Sequence, residues 1–152
     1  VVGAEAACLG GGGCVVRLAG LYSVERGPHS VWLSRDELDS SPDGLINLLA
    51  YEDAASAVVT ALEAAKNSAI NISGRIFLAA DSAPISRRDI CEQALRHPVH
   101  AGKTVPRFAE GAAGAGASKI YDTSITRRDL GWQPRYDSFK DFMSIKAAEH
   151  RG

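Results

Sequence analysis

Apolar residues along the chain fall into short continuous runs, separated by stretches in which they recur at helical spacing. Cys14-Val-Val-Arg-Leu18, Leu45-Ile-Asn-Leu-Leu49 and Ile76-Phe-Leu-Ala-Ala80 are such runs. At this length they predict strands buried on both faces of a parallel sheet. Residues 3–9 have helix-forming composition and end in four glycines, Gly10 to Gly13. Glu52-Asp53 opens an alanine-rich helix through Lys66, with Val58, Val59 and Leu62 as its expected packed face and Asp53 as its simplest cap. Ser86-Arg-Arg-Asp89 and Ser138-Phe-Lys-Asp141 are capping-box patterns, and each predicts a helix start. The first of these helices turns Ile90, Ala94 and Leu95 inward and stops at His97-Pro98; the second offers Phe139, Phe142 and Ile145 to the core. Thr123 or Ser124 is placed to cap a short helix closed by Gly131. Residues 19–44 read as a loop with a helical piece at Ser34 to Leu38, and residues 101–117 as a flexible loop around Gly111 to Gly116. The alternation of runs and helices gives an α/β class with two or three mostly parallel strands.

Composition narrows the function classes. The 152 residues are the size of one domain, 45% hydrophobic and 23% charged, as in an ordinary globular protein. A net charge of −1 gives no electrostatic footprint for nucleic acid or an anionic membrane. No apolar run approaches the roughly 20 residues of a membrane span, and Val1-Val2-Gly3 does not begin a secretory signal. Cys8, Cys14 and Cys91 lack metal or disulfide spacing and read as small buried side chains in a reducing intracellular compartment. Asn71-Ile-Ser73 matches a glycosylation sequon, but no other signal of secretion accompanies it.

No complete catalytic or metal-binding set emerges from the residues themselves. A dinucleotide loop needs strand, glycine turn and helix in that order, so that a helix N-terminus faces the pyrophosphate. Around Gly10–Gly13 the order is helix, glycines, strand. Tyr136 and Lys140 carry Y-x-x-x-K spacing, yet Tyr136 precedes the N-cap Ser138, so the two do not share a helical face. Arg26 and Arg17 are candidates to bind a substrate phosphate or carboxylate, against an ion-pair or surface role. Trp32 and Trp132 read as aromatic anchors, and His97, His100 and His150 lack metal-ligand spacing.

Several segments, in order, resemble the C-terminal half of the NAD(P)-dependent epimerase/dehydratase family of extended short-chain dehydrogenases. They are Val16 to Tyr22 with Arg26-Gly27, Ile46-Asn47 with Tyr51-Glu-Asp-Ala-Ala55, Arg75 to Asp81 with Pro84 to Arg88, and Ser118-Lys-Ile120 with Asp129 to Pro134 and Tyr136 to Phe139. Ser23-Val-Glu25 replaces the family's usual glycine and proline, and Leu48 and Ala50 replace a common arginine and histidine. The resemblance implies an incomplete Rossmann-like fold forming the substrate-side portion of such a domain. It places Tyr22, Arg26 and His29 on the loop beside the nicotinamide and substrate pocket. It also implies that the cofactor loop and the active-site tyrosine and lysine lie upstream of Val1, so that this chain alone binds no NAD(P). The expected role is an accessory or structural subunit held by partner chains in a large assembly, photosynthetic or respiratory. A chloroplast or mitochondrion is then the expected location, with the cytoplasm as alternative. The alternative function is the substrate-binding half of an active NAD(P)-linked oxidoreductase or sugar epimerase.

Overall fold

The computed structural model describes residues 2–67, 70–109 and 118–152. Chain order is α1 (Val2–Gly10), β1 (Val15–Leu18), β2 (Gly20–Tyr22), α2 (Pro28–Trp32), β3 (Glu37–Leu38), β4 (Leu45–Ile46), β5 (Leu48–Ala50), α3 (Tyr51–Asn67), β6 (Ile76–Ala79), β7 (Ile85–Ser86), α4 (Arg87–Ala94), a 3₁₀ turn (Pro98–His100), β8 (Arg107–Phe108), α5 (Ser124–Leu130) and α6 (Phe139–Arg151). The α/β class with mostly parallel strands holds: β1–β6, β2–β5 and β3–β8 pair parallel, and only β4–β7 pairs antiparallel.

One extended run, Val15 to Tyr22, organises the sheet. It pairs with β6 up to Leu18 and with β5 from Gly20. The partners change at Ala19, whose N–H donates to Ala79 O (3.0 Å), while the Gly20 N–H donates to Asn47 O (3.2 Å). The edge of β6 is closed by a side chain. Thr126 Oγ1 accepts the Leu78 N–H (2.9 Å) and donates to Leu78 O (2.8 Å), serving both backbone groups that a further strand would have paired.

Two apolar clusters flank this run. Leu49, Phe77, Ala79 and Trp132 pack beneath the Ala54, Ala57 and Ala61 stripe of α3. Tyr22, Leu48, Ile90, Phe139, Phe142 and Met143 form the second, under α4 and α6. Tyr22 meets Phe139 and Phe142 edge-on, with ring centroids 4.9 and 5.1 Å apart.

The expected packed face of α3 is corrected here. Val58, Val59 and Leu62 face outward, Leu62 at 65% exposure, while Ala57 is fully buried. Small side chains let the helix lie close on the sheet, so the alanine stripe wins the inward position despite its lower hydrophobicity. Ile145 is likewise exposed, and Met143 and Ala147 join Phe139 and Phe142 on the inner face of α6. The helical piece expected at Ser34 to Leu38 is also corrected: Pro28 starts the helix earlier, at its N1 position, and Glu37–Leu38 is extended. Within the segment expected as a loop, Arg107–Phe108 pairs with Glu37–Leu38, and Gly111 to Gly116 lies outside the described residues. Both capping boxes form: the Ser86 and Ser138 hydroxyls accept the Asp89 and Asp141 N–H groups at 3.1 Å. Gly131 closes α5 in the left-handed region, as its position predicts. Of the cysteines only Cys91 is buried, and burial pushes its thiol up to about 11; Cys8 is exposed and Cys14 half-buried.

Candidate functional site

The carboxyl ends of β2 and β5 open onto the loop from Ser23 to Gly27. The loop is a tight turn, closed by the Ser23 N–H on Arg26 O (2.7 Å) and the Arg26 N–H on Ser23 Oγ (3.2 Å). Gly27 adopts φ 138°, and a Cβ there would stand 2.9 Å from Tyr22 Cβ and 3.2 Å from the His29 ring. Only glycine passes between these two side chains and enters α2.

The three residues expected to face substrate part company. Arg26 is exposed, its guanidinium 5.8 Å from the centroid of the Tyr51 ring. Among the described residues it makes no ion pair. Tyr22 and His29 are fully buried. Tyr22 anchors the second core, and His29 packs against Phe139 with its Nε2 on Val24 O (2.9 Å). Their aromatic rings support the loop from below.

A cavity of about 570 Å³ lies beside the loop, between Ser23–Glu25 and α6. In its wall Glu52 accepts the Tyr136 hydroxyl (2.7 Å) on one oxygen and the Lys146 ammonium (3.0 Å) on the other. The Tyr136 hydroxyl proton and Lys146 hold the Glu52 carboxyl below its usual range. Burial, and then Glu52 itself, raise the Tyr136 phenol. Through these two contacts Glu52 ties α3 to Lys146 on α6 and to Tyr136 just before it, and the upward shift of the phenol is opposite to what a proton-transfer tyrosine needs. Lys140 is exposed on α6, and the lysine that meets Tyr136 is Lys146.

The carboxylate of Asp53 reaches away from its own helix. Its oxygens accept the backbone N–H groups of Arg135 (2.8 Å) and Tyr136 (3.2 Å), which fastens the C-terminal segment to α3. The simple helix-cap reading is thereby corrected. Asn47 does comparable work on residues 119–121: its amide donates to Lys119 O and accepts the Tyr121 N–H (2.9 Å). Asp81, beyond the end of β6, is buried beside Tyr22; burial, aided by nearby Asp53, raises its carboxyl to about 8 against the opposing Ala83 N–H and Tyr22 hydroxyl. The Tyr22 phenol is raised in turn, by burial first and by Asp81 second. Neither Asp81 oxygen meets a partner at hydrogen-bonding geometry, nor does the Tyr22 hydroxyl.

All four histidines of the chain converge behind the loop. Ring centroids are 5.2 Å apart for His29–His100, 6.5 Å for His97–His100 and 5.3 Å for His97–His150. No group of three or more potential metal ligands occurs among the described residues. Nothing in the sequence spacing announces this cluster, since its members come from α2, the 3₁₀ turn with its cap, and α6. The same holds for Glu52–Lys146 and Asp53–Arg135. Among the other candidates, Arg17 is bound bidentately by Glu5 (3.0 and 2.6 Å), Trp132 donates to Ser56 Oγ (2.9 Å) from the first core, and Trp32 packs against the second.

Around Gly10–Gly13 the structure offers no pyrophosphate cradle. The run caps the C-terminus of α1, with the Gly11 N–H on Ala7 O and the Gly13 N–H on Cys8 O. A helix C-terminus presents carbonyl oxygens and the negative end of the dipole, both unfavourable to phosphate. The residues present do not fit a dinucleotide at this place. No helix among the described residues is long and apolar enough to cross a membrane.

No protein-family model matches the chain, and no curated protein sequence does. Solved structures do. UDP-glucuronic acid 4-epimerase from Bacillus cereus, in complex with UDP-glucuronic acid and NAD, superposes with a TM-score of 0.68 at 17% identity, over 92% of this chain and 45% of that one. The dTDP-glucose 4,6-dehydratase of Bacillus anthracis, in complex with NAD, gives 0.67 at 14% identity, over 97% and 49%. RMD from Pseudomonas aeruginosa, complexed with NADPH, gives 0.66 at 13% identity, over 97% and 54%. The chain therefore has the fold of a portion of these proteins, consistent with the C-terminal half that its sequence resembles. It spans about half the length of the structures it matches.

Proposed function

We propose that this chain is the substrate-side portion of an NAD(P)-dependent epimerase/dehydratase-like protein, catalytically incompetent by itself, and that it acts as an accessory or structural subunit completed by partner polypeptide. The observation that carries this reading is the state of β1. Its flank opposite β6 has no strand partner among the described residues. On the β1–β6 pair itself Leu18 and Ile76 are about two-fifths exposed, and with Leu78, Tyr121 and the Glu5–Arg17 ion pair they line a groove of about 630 Å³. An unpaired parallel strand with apolar neighbours is stable when further chain covers it. The match to about half of each solved neighbour supports the same view. In this reading the nicotinamide cofactor, NAD or NADP as in the neighbours, belongs to the completing portion.

Calorimetry of the 152-residue chain with NAD and with NADP tests the incompetence directly. No binding is expected up to millimolar ligand, and a micromolar dissociation constant overturns the reading. Leu18→Asp tests the covered flank: it should leave the melting temperature of the isolated chain unchanged and abolish assembly with the completing portion.

The alternative reading, the substrate-binding half of an active NAD(P)-linked oxidoreductase or sugar epimerase, is favoured by Arg26. A guanidinium exposed on a strand-end loop, with no carboxylate partner among the described residues, is placed to pair with a substrate anion. Hydride transfer to NAD(P) by the completed assembly, lost in Arg26→Ala, would select it over the accessory role.

A further inference from the structure

The loop that carries Arg26 is held from behind by one carbonyl. Val24 O accepts hydrogen bonds from His29 Nε2 and from His100 Nε2, both at 2.9 Å. The two histidines lie on α2 and on the 3₁₀ turn, and both are buried. A carbonyl can only accept, so each Nε2 carries the proton and each neutral ring has a bare Nδ1. The Nδ1 of His29 is buried with no partner. A second proton placed there would be a buried, unpaired charge, 5.2 Å by ring centroid from the other imidazole.

We propose that His29 and His100 form a proton-sensitive latch: neutral, they clamp the Ser23–Gly27 loop through Val24 O, and proton uptake by the pair favours a released loop in which both rings are solvated. They act as positioning residues for Arg26. Its ligand-binding role rests on the reading above, whereas the latch stands on the hydrogen bonds alone.

Burial first, and the neighbouring cations after it, favour the neutral pair. Burial lowers His29 to about 4, the Val24 carbonyl opposes that shift, and His100 and Lys103 add to it. His100 is lowered by burial first, with Lys103 and His97 acting in the same direction against the Val24 carbonyl and Glu25. His97 is lowered by its own burial and by His150, and the Lys146 backbone carbonyl and then Glu25 oppose this. On α6, Lys146 is occupied by Glu52 (3.0 Å) and Glu149 (3.4 Å), so its charge is largely balanced at the far side of the cluster. Glu25, the carboxylate that opposes these shifts at both His97 and His100, is exposed, where water screens it.

Amide hydrogen exchange across pH, read as protection factors, tests the latch without any ligand. A ring near 4 in the closed loop and near its ordinary value in the open one makes the opening constant rise about tenfold between pH 7.5 and 5.5 for one histidine, and more for two. The loop amides of Ser23 and Arg26 should therefore lose at least tenfold protection over that interval, while the Phe77 amide in the first core keeps its own. The double substitution His29→Gln and His100→Gln supplies non-titrating donors, and should flatten the pH dependence at Ser23 and Arg26. Protection at these amides that does not change with pH in the natural sequence overturns the proposal. So does an undiminished slope in the double variant, or a parallel loss at Phe77. Nitrogen shifts of the two rings give a check that needs no variant: both must be Nε2–H tautomers at pH 7.5, and an Nδ1–H tautomer in either ring also overturns it.

Discussion

The Thr126 hydroxyl takes the place of a strand beside Leu78, satisfying both the N–H and the C=O of that residue from a helix. Thr126 is buried, and removing its hydroxyl leaves two backbone groups of β6 without their partner. Thr126→Ala should therefore destabilise the fold by about 2–3 kcal/mol, and Thr126→Ser by well under half of that. Urea unfolding of the three proteins decides the matter; equal midpoints would remove Thr126 from the account of the edge.

Asp53 is a tether of comparable weight. Asp53→Asn keeps one accepting oxygen and turns an NH₂ group toward the second backbone N–H, where donor meets donor. A loss of about 2 kcal/mol is expected, with faster hydrogen exchange at Arg135 and Tyr136. Unchanged exchange at those two amides would contradict the tether.

Stability should depend on pH through two buried groups of opposite sign. His29, lowered to about 4, contributes stability present above its ordinary value of 6.5 and lost as pH falls toward 4. This amounts to about 3 kcal/mol by pH 4. Asp81, raised to about 8 from 3.8, contributes stability present at low pH and lost as pH rises through that window. Between pH 4 and 6.5 the two oppose each other, and the denaturation midpoint should be nearly flat. From 6.5 to 8 only Asp81 acts, and stability should fall by about 1 kcal/mol per pH unit. In Asp81→Asn that fall disappears and the acid-side slope of His29 is uncovered. Denaturant midpoints at pH 4.5, 6.5 and 8 for both proteins check the signs.

Arg26→Ala should change stability by less than about 0.5 kcal/mol, because the side chain is exposed and makes no ion pair among the described residues. A larger loss would show that the contact with Tyr51 matters structurally, and would weaken the case for Arg26 as a ligand-binding group.

Much of the frame was legible in the sequence, and the part that was not has a common cause. Continuous apolar runs located β1, β5 and β6, and two capping boxes located α4 and α6, because those signals are local. The inward face of α3 was misread because hydrophobicity ranks valine and leucine above alanine, whereas the narrow space over the sheet selects by volume. Strands of two residues, such as Glu37–Leu38 with Arg107–Phe108, carry too little pattern to show. Of the three residues expected to face substrate, Arg26 alone is exposed. Tyr22 closes β2 and His29 sits in α2, and both face the core. The contacts of Asp53 with Arg135, of Glu52 with Lys146 and of His100 with Val24 join residues many tens of positions apart, and no spacing rule reaches that far.

The extended run from Val15 to Tyr22 is shared property of both cores: Ala19 and Leu21 pack with the first, Tyr22 with the second. Neither core can close around a partner strand until this run is in place, and neither can open without disturbing it. The chain also carries one tryptophan at each core, Trp132 in the first and Trp32 against the second. Cooperativity is thus written into a single segment, and the two indoles are natural reporters of whether both halves melt as one.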